Sequence, residues 1–348
     1  MMRWAVAALI CGLYLGRAVA AERLKTDVIT LQNGDRISGR ILYAQFGYLQ
    51  LNSAHSGTVA IEWPSIRSIQ SQYAFRVERS GGLFYTGTIH TTADGAYLVV
   101  AVGVANTAIP MPEVIRLVPY EASFWRQLDG SVSVGFSFAK STDVSQGSLG
   151  VNAYYSGADV EAALKASAII TRDQTGATTD QDDIISTVFW LQPNPTFWGL
   201  LGALQRDRSV GVDGRAVVGP VLGRRLFQAY YGQASGIVGV VYNQEVAAAE
   251  GRNGGSAEAV LGGEWRVFKF YYPKIKLDLS VLLYPSLTES PRLRGSFNTA
   301  LTFKLTERFA LQLSENATYD SRPPKPGAST TDYSIVTSIS YEFGPVIP

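Results

Sequence analysis

The chain has 348 residues, 46% hydrophobic and 17% charged, with 34 Gly, 18 Tyr, 15 Phe, one Cys and a formal charge of +1. That length builds a core without disulfide or metal staples, and near-zero charge with no Lys/Arg block argues against a nucleic-acid partner. Low charge with abundant Gly, Tyr and Phe suits a β-rich protein with much of its surface in apolar contact.

Residues 1–20 read as a secretory signal. Arg3 supplies the basic start, Trp4 to Leu15 an apolar run too short for a comfortable membrane span, and Ala18-Val19-Ala20 a small-x-small cleavage site. A cut after Ala20 removes Cys11. It also removes Arg3 and Arg17, so 30 − 2 = 28 basic residues face 29 acidic ones, a net of −1. The expected mature protein is exported, thiol-free and nearly neutral.

A duplicated unit follows. Gly34, Gly39, Ile41, Gly47, Leu51, Ile61, Pro64, Ile66 and Ile69 recur 48 positions later as Gly82, Gly87, Ile89, Gly95, Val99, Ile109, Pro112, Val114 and Leu117. That many matches at one ungapped offset indicate a repeat. Asn33-Gly34 between β-rich runs favours a hairpin turn with positive φ. Residues 21–72 and 73–122 are therefore expected to form two small SH3-like β-barrels side by side. His55 and His90 do not correspond at that offset and read as surface or strand-end residues, with no metal site and no cofactor implied.

From about Trp125 the pattern becomes longer alternating segments. Val132, Val134, Phe136 and Phe138 alternate with small or polar residues, as do Val160, Ala162, Leu164, Ala166 and Ala168. Twelve strands are expected at 129–139, 147–156, 159–171, 183–192, 196–206, 213–222, 236–245, 257–267, 274–284, 292–304, 308–319 and 332–343. Connections after odd-numbered strands are expected to be long and polar (172–182, 245–256, 320–331), and those after even-numbered strands mostly short (156–158, 193–195, 306–308). That parity is what a transmembrane barrel with short periplasmic turns and long outer loops requires. In the last segment Tyr333, Ile335, Thr337, Ile339, Tyr341 and Phe343 share a face opposite Ser334, Ser338, Ser340 and Glu342. Its ten steps, at about 3.3 Å each and a 40–45° tilt, span about 24 Å, the height of an outer-membrane apolar band. The soluble alternative is a secreted β-sandwich, which would not require this loop parity. Two details resist simple alternation: aromatics fall on both faces at Phe189-Trp190 and Phe197-Trp198, and Glu315 lies on an apolar face.

Three stretches together resemble a known family: Leu31-Gln32-Asn33-Gly34-Asp35-Arg36-Ile37-Ser38-Gly39, Tyr319-Asp320-Ser321-Arg322-Pro323-Pro324-Lys325-Pro326-Gly327 with Asp332, and Ser340-Tyr341-Glu342-Phe343. They are similar to domain of unknown function 481, the YdiY-like family of salt-induced outer-membrane proteins. The resemblance spans essentially the whole mature chain. It implies an outer-membrane barrel of Gram-negative type and brings no biochemical activity with it. It also implies Tyr341 and Phe343 as the aromatic signal that the barrel-assembly machinery reads. Here the chain departs from the pattern, continuing through Gly344-Pro345-Val346-Ile347-Pro348.

Enzymatic readings lack their parts. Serine-hydrolase chemistry in a barrel wall needs a base that is nearly always histidine, and residues 125–348 contain none. Gly-x-Ser-x-Gly, His-Glu-x-x-His and phosphate-loop motifs are missing too. Asp180, Asp182 and Asp183 offer carboxylates for calcium, but without EF-hand spacing they read as part of a solvated outer loop.

The face opposite each apolar stripe should line the lumen. It carries Glu161, Glu258, Glu264, Asp278 and Glu342 with Lys165, Arg266, Lys276, Arg292, Arg294 and Lys304, five acids against six bases. A selective pore concentrates one sign at its constriction. This balanced set predicts ion pairs that fill a narrow barrel. The expectation is a non-enzymatic outer-membrane protein with a structural or envelope-stress role, set in outer-membrane lipid, its N-terminal repeats periplasmic and contacting a periplasmic protein or peptidoglycan. The rival is a weakly selective channel for small solutes.

Overall fold

The computed structural model describes residues 24–343 apart from 46, 54, 104, 121–126, 140–143, 158, 173–177, 193, 208–211, 230, 248–253, 270–272, 290, 307, 325–326 and 328. The signal, its cleavage site and residues 344–348 lie outside the described residues. All described elements are strands except two short 3₁₀ turns, Trp63–Ser65 and Met111–Glu113.

The N-terminal part contains β1 (Asp27–Leu31), β2 (Arg36–Gln45), β3 (Tyr48–Ser53), β4 (Thr58–Glu62), β5 (Ile66–Arg79), β6 (Phe84–Thr91), β7 (Tyr97–Val102), β8 (Ala105–Pro110) and β9 (Val114–Pro119). The offset of 48 holds element by element: β2, β3 and β4 reappear as β6, β7 and β8, and the first 3₁₀ turn as the second. The first half of β5 reappears as β9, and β1 as the second half of β5.

The expected pair of separate SH3-like barrels is not what forms. Nothing between Ile66 and Arg79 is Gly or Pro, so β5 crosses the expected boundary at residue 72 as one strand, closing the first repeat and opening the second. The repeats also exchange pairings: the end of β2 pairs with β9 at Ala44↔Leu117, while β6 pairs with the first half of β5 at Gln70↔His90. One nine-stranded sheet results. It encloses a single core in which Ile41 and Ile89, Ile61 and Ile109, and Ile69 and Leu117 are buried as equivalent pairs. Trp63 Nε1 donates to the Met111 carbonyl at 2.7 Å, joining two positions that are themselves 48 apart.

The barrel consists of β10 (Leu128–Ala139), β11 (Val144–Ser156), β12 (Val160–Arg172), β13 (Thr178–Leu191), β14 (Thr196–Asp207), β15 (Val212–Ala229), β16 (Gly232–Ala247), β17 (Gly254–Lys269), β18 (Ile275–Pro285), β19 (Leu293–Lys304), β20 (Phe309–Asp320) and β21 (Thr331–Phe343). All twelve expected segments are present. The antiparallel ladder closes where β10 meets β21, from Gly130↔Phe343 to Gly135↔Ser338. Closure leaves no sheet edge, and alternation sends the apolar stripes outward: Val134, Phe136, Val218, Leu222, Tyr333 and Ile339 are all exposed.

The difficult aromatics sort by face. Trp190 and Trp198 stack on the outer wall with ring centroids 4.4 Å apart, while Phe189 and Phe197 meet inside at 4.8 Å. At the same short-turn end, Trp265, Phe309 and Tyr341 are exposed. Tyr242, Tyr319 and Tyr333 are exposed at the other end. Amphipathic rings at both rims of an apolar belt are the arrangement of a membrane-crossing barrel.

The expected loops 172–182 and 245–256 shrink, because β12, β13, β16 and β17 extend the ladder beyond the apolar belt. Asp180, Asp182 and Asp183 consequently sit on β13. Asp183 takes the lumen face and the other two the opposite one, so they do not converge as cation ligands, and Asp180 pairs with Arg206 at 3.4 Å. The ladder of β20 is unbroken on both sides, so Glu315 points outward between Thr299 and Ile335.

Candidate functional site

The lumen holds its charges in two tiers. At the long-loop end, Arg292 contacts Glu245 at 3.0 Å, Asp320 at 2.7 Å and Glu289 at 3.1 Å, and Arg215 bridges Glu245 at 2.7 Å and Asp320 at 3.2 Å. Arg294 forms a fork with Glu258, Nε donating to Oε1 at 3.0 Å, and Glu258 also accepts from Asn243 at 3.3 Å. Glu258 has no exposed surface at all. Desolvated charges persist only when paired and hydrogen-bonded to this degree.

At the short-turn end, Lys165 meets Glu264 at 3.0 Å, Arg266 meets Asp278 at 2.6 Å, Lys276 meets Asp278 at 3.1 Å, and Lys304 meets Glu342 at 3.0 Å. Glu161 binds Arg225 at 3.3 Å. Each of the eleven lumen residues singled out by alternation thus stands in an ion pair. Between the tiers Leu201, Val217, Val221, Val241, Val260 and Tyr284 pack as a buried cluster on the β14–β18 side. The opposite side is small and polar, with Ser133, Ser338 and Ser340.

Alternation missed part of this site. Glu245 and Asp320 stand where the expected long loops begin, Arg215 lies inside the expected strand 213–222 but outside the eleven, Arg225 lies beyond the expected end of its strand, and the apolar cluster occupies strands that are apolar on both faces. The Tyr319-Asp320-Ser321 stretch has a defined local role. Asp320 clamps Arg292, with Arg292 Nε donating at 3.1 Å, and accepts from Arg322 N at 3.0 Å, while Leu293 N donates to Ser321 Oγ at 2.9 Å.

The N-terminal sheet seats on the short-turn mouth. Arg116 reaches Glu161 at 2.6 Å and the Gly157 carbonyl, and Arg225 reaches Glu78 at 2.8 Å. Arg76 pairs with Asp159, Gln228 donates to Glu78 at 3.1 Å, and Ser80 Oγ donates to the Gln228 carbonyl at 3.0 Å. Lys274 lies 5.2 Å from the Tyr48 ring. The second repeat carries most of this contact: the equivalents of Arg76, Glu78 and Arg116 in the first repeat are Val28, Thr30 and Ser68. Burial pulls the Arg76 guanidinium below its ordinary pKa even beside Asp159, the mark of a charge held in a tight interface.

Residues 132–343 match the family described as "Protein of unknown function, DUF481". The chain belongs to that family. In DUF481 terms, the matched segment is the barrel with its charged lumen, and the nine-stranded sheet that covers the mouth precedes it. No curated protein matches the chain. Among solved structures, it is similar to the translocator domain of the autotransporter NalP from Neisseria meningitidis, at 12% identity and a TM-score of 0.34, covering 62% of this chain and 87% of that one. It is also similar to the beta domain of the Bordetella autotransporter BrkA, at 9% identity and a TM-score of 0.32, covering 62% and 98%.

The docking makes a direct prediction through two equivalent glycines. Gly34 and Gly82 both have positive φ, but a Cβ at Gly34 meets nothing within 4 Å, whereas one at Gly82 would stand 2.7 Å from Pro195 Cα and 2.8 Å from the Asn194 carbonyl oxygen. Both Val substitutions carry the same backbone strain, about 1–3 kcal/mol. Only Gly82→Val should also unseat the sheet. Hydrogen exchange at Thr196 and Arg225 is expected to quicken in Gly82→Val and stay unchanged in Gly34→Val.

Proposed function

We propose that this protein is a non-enzymatic outer-membrane element with a structural or envelope-stress role, a membrane-spanning barrel that is closed at rest. The observation that carries the reading is the double closure: a lumen crossed by ion pairs, under a sheet seated by ion pairs on its short-turn mouth. Short turns face the periplasm in barrels of this type, so the sheet is periplasmic. Its second repeat is committed to the barrel. The first repeat exposes Arg36 and Gln70, and its surface is the one offered to a periplasmic protein or to peptidoglycan.

One observation favours a second reading, a weakly selective channel. The small polar half of the lumen, with Ser133, Ser338 and Ser340, would conduct if the paired side chains swung aside.

The membrane assignment is tested by fractionation and gel mobility. A closed barrel satisfies its strand hydrogen bonds internally and resists detergent. The mature protein is expected in the outer-membrane fraction, running faster on a denaturing gel unboiled than boiled. Release into the soluble fraction by osmotic shock would overturn the assignment.

A further inference from the structure

The outer wall of the barrel carries one charge that its own chain does not answer. Glu315 stands on β20 three outward positions from Phe309 and two from Tyr319, the exposed aromatics at the two rims of that strand. At about 3.3 Å per residue and a tilt of about 40–45°, it lies about 10 Å inside the Tyr319 rim, too deep for its short side chain to reach water. Every other outward position of β18, β19, β20, β21 and β10 is uncharged. Among the described residues none gives Glu315 a counter-charge or a hydrogen bond. An ionisable group held against lipid is destabilising, and it calls for a partner.

The same face supplies two hydroxyls. Thr299 is the cross-strand neighbour of Glu315 on β19, and Thr337 faces outward on β21 beside Leu313, the next outward residue of β20. On the other side of Glu315 along β20 stands Ala317, whose small side chain keeps the wall low and open to a close approach. We propose that this face is the contact with a second copy of the same chain, related by a two-fold axis along the membrane normal, in which each Glu315 carboxylate accepts from a threonine hydroxyl of the other copy. A two-fold contact needs a patch that complements itself, and an acceptor flanked by two donors does so. A different partner would have to carry its own Arg or Lys through an apolar belt, where a cation costs more than a carboxylate. Two copies of this chain need no cation. The inference rests on the membrane-spanning reading of the barrel and goes beyond it. In an isolated barrel Leu at position 315 suits lipid better than Glu, whereas in the pair the same change removes the acceptor.

The test is energy transfer between donor- and acceptor-labelled copies of the full chain in phosphatidylcholine vesicles, with the dyes on Ser329 of the long outer loop (Cys11→Ala/Ser329→Cys) and the protein-to-lipid ratio varied. Flotation with the vesicles is scored first: protein that does not float refutes the membrane reading and this contact with it, while floated protein at chance transfer refutes the contact alone and leaves Glu315 to a cation-bearing partner. Without further changes, the labelled chain is expected to give a saturable dimer curve, and so is Ser186→Ala, which removes an outward hydroxyl on the distant β13. Glu315→Leu and Thr299→Val/Thr337→Val should each need at least a tenfold higher protein-to-lipid ratio for the same transfer. A dimer that either variant leaves unchanged overturns the proposal. Should a variant fail to float, disulfide formation decides: Cys11→Ala/Ala317→Cys is expected to cross-link into dimers and Cys11→Ala/Leu200→Cys, on β14, is not. Equal yields from the two would refute the contact.

Discussion

Replacing Glu258 with Leu is expected to destabilise the barrel by about 3–5 kcal/mol, because Arg294 would then remain buried with its charge uncompensated. The pair is fully enclosed: Glu258 has no exposed surface and Arg294 only 3%. Arg294 also lies 4.9 Å from the Tyr284 ring, which cannot replace a carboxylate. Removing both charges is a different matter, since a buried ion pair and a well-packed apolar pair of similar volume often have nearly equal stability. Glu258→Leu/Arg294→Met should therefore recover most of the loss. The readout is the temperature at which the folded gel species converts to the unfolded one. Equal midpoints for Glu258→Leu and the wild type would mean that water reaches this tier and screens it.

The outer wall supplies the second large effect. Val134 lies mid-strand on β10, 61% exposed, between Leu149 and Ile339 on the neighbouring strands. In lipid, an arginine there costs about 2–4 kcal/mol, while on a water-facing surface the same change stays within about 0.5 kcal/mol. Val134→Arg, refolded into lipid vesicles, should lose that much stability by urea titration, and Val134→Leu almost none. Glu315 provides the internal control, being a native carboxylate on the same belt. Glu315→Leu should shift stability the opposite way. A Val134→Arg variant as stable as the wild type would place this face in water.

The barrel was legible because its strands alternate over ten or more residues, and period-2 patterning fixes both strand and face. Ser133, Ser338 and Ser340 could be assigned to the lumen on that ground alone. Legibility failed where the physics is not periodic. Arg224 and Arg225 look like the end of a strand, yet β15 runs on to Ala229, because the ladder with β16 outlasts the apolar belt. On β14 to β17 both faces are apolar, one for the outer wall and one for the internal cluster, so alternation could not reveal the packed lumen. The duplication was readable at its offset, but the exchange of strands between repeats was not. It depends on an unbroken β5, and its nearest sequence sign is the lack of Gly or Pro from 66 to 79. The seating of the sheet was illegible for a plainer reason: Arg116 and Glu161, or Glu78 and Arg225, are far apart in the chain and belong to no shared pattern.

Conductance in a planar bilayer tests the central claim, a barrel occluded by its own ion pairs. Arg292 and Arg294 hold the long-loop tier together through Glu245, Asp320 and Glu258. The wild-type protein is predicted to pass only a small, weakly selective current, and the Arg292→Ser/Arg294→Ser variant a clearly larger one. A large conductance that is the same in wild type and variant would contradict the account and make this protein an open pore.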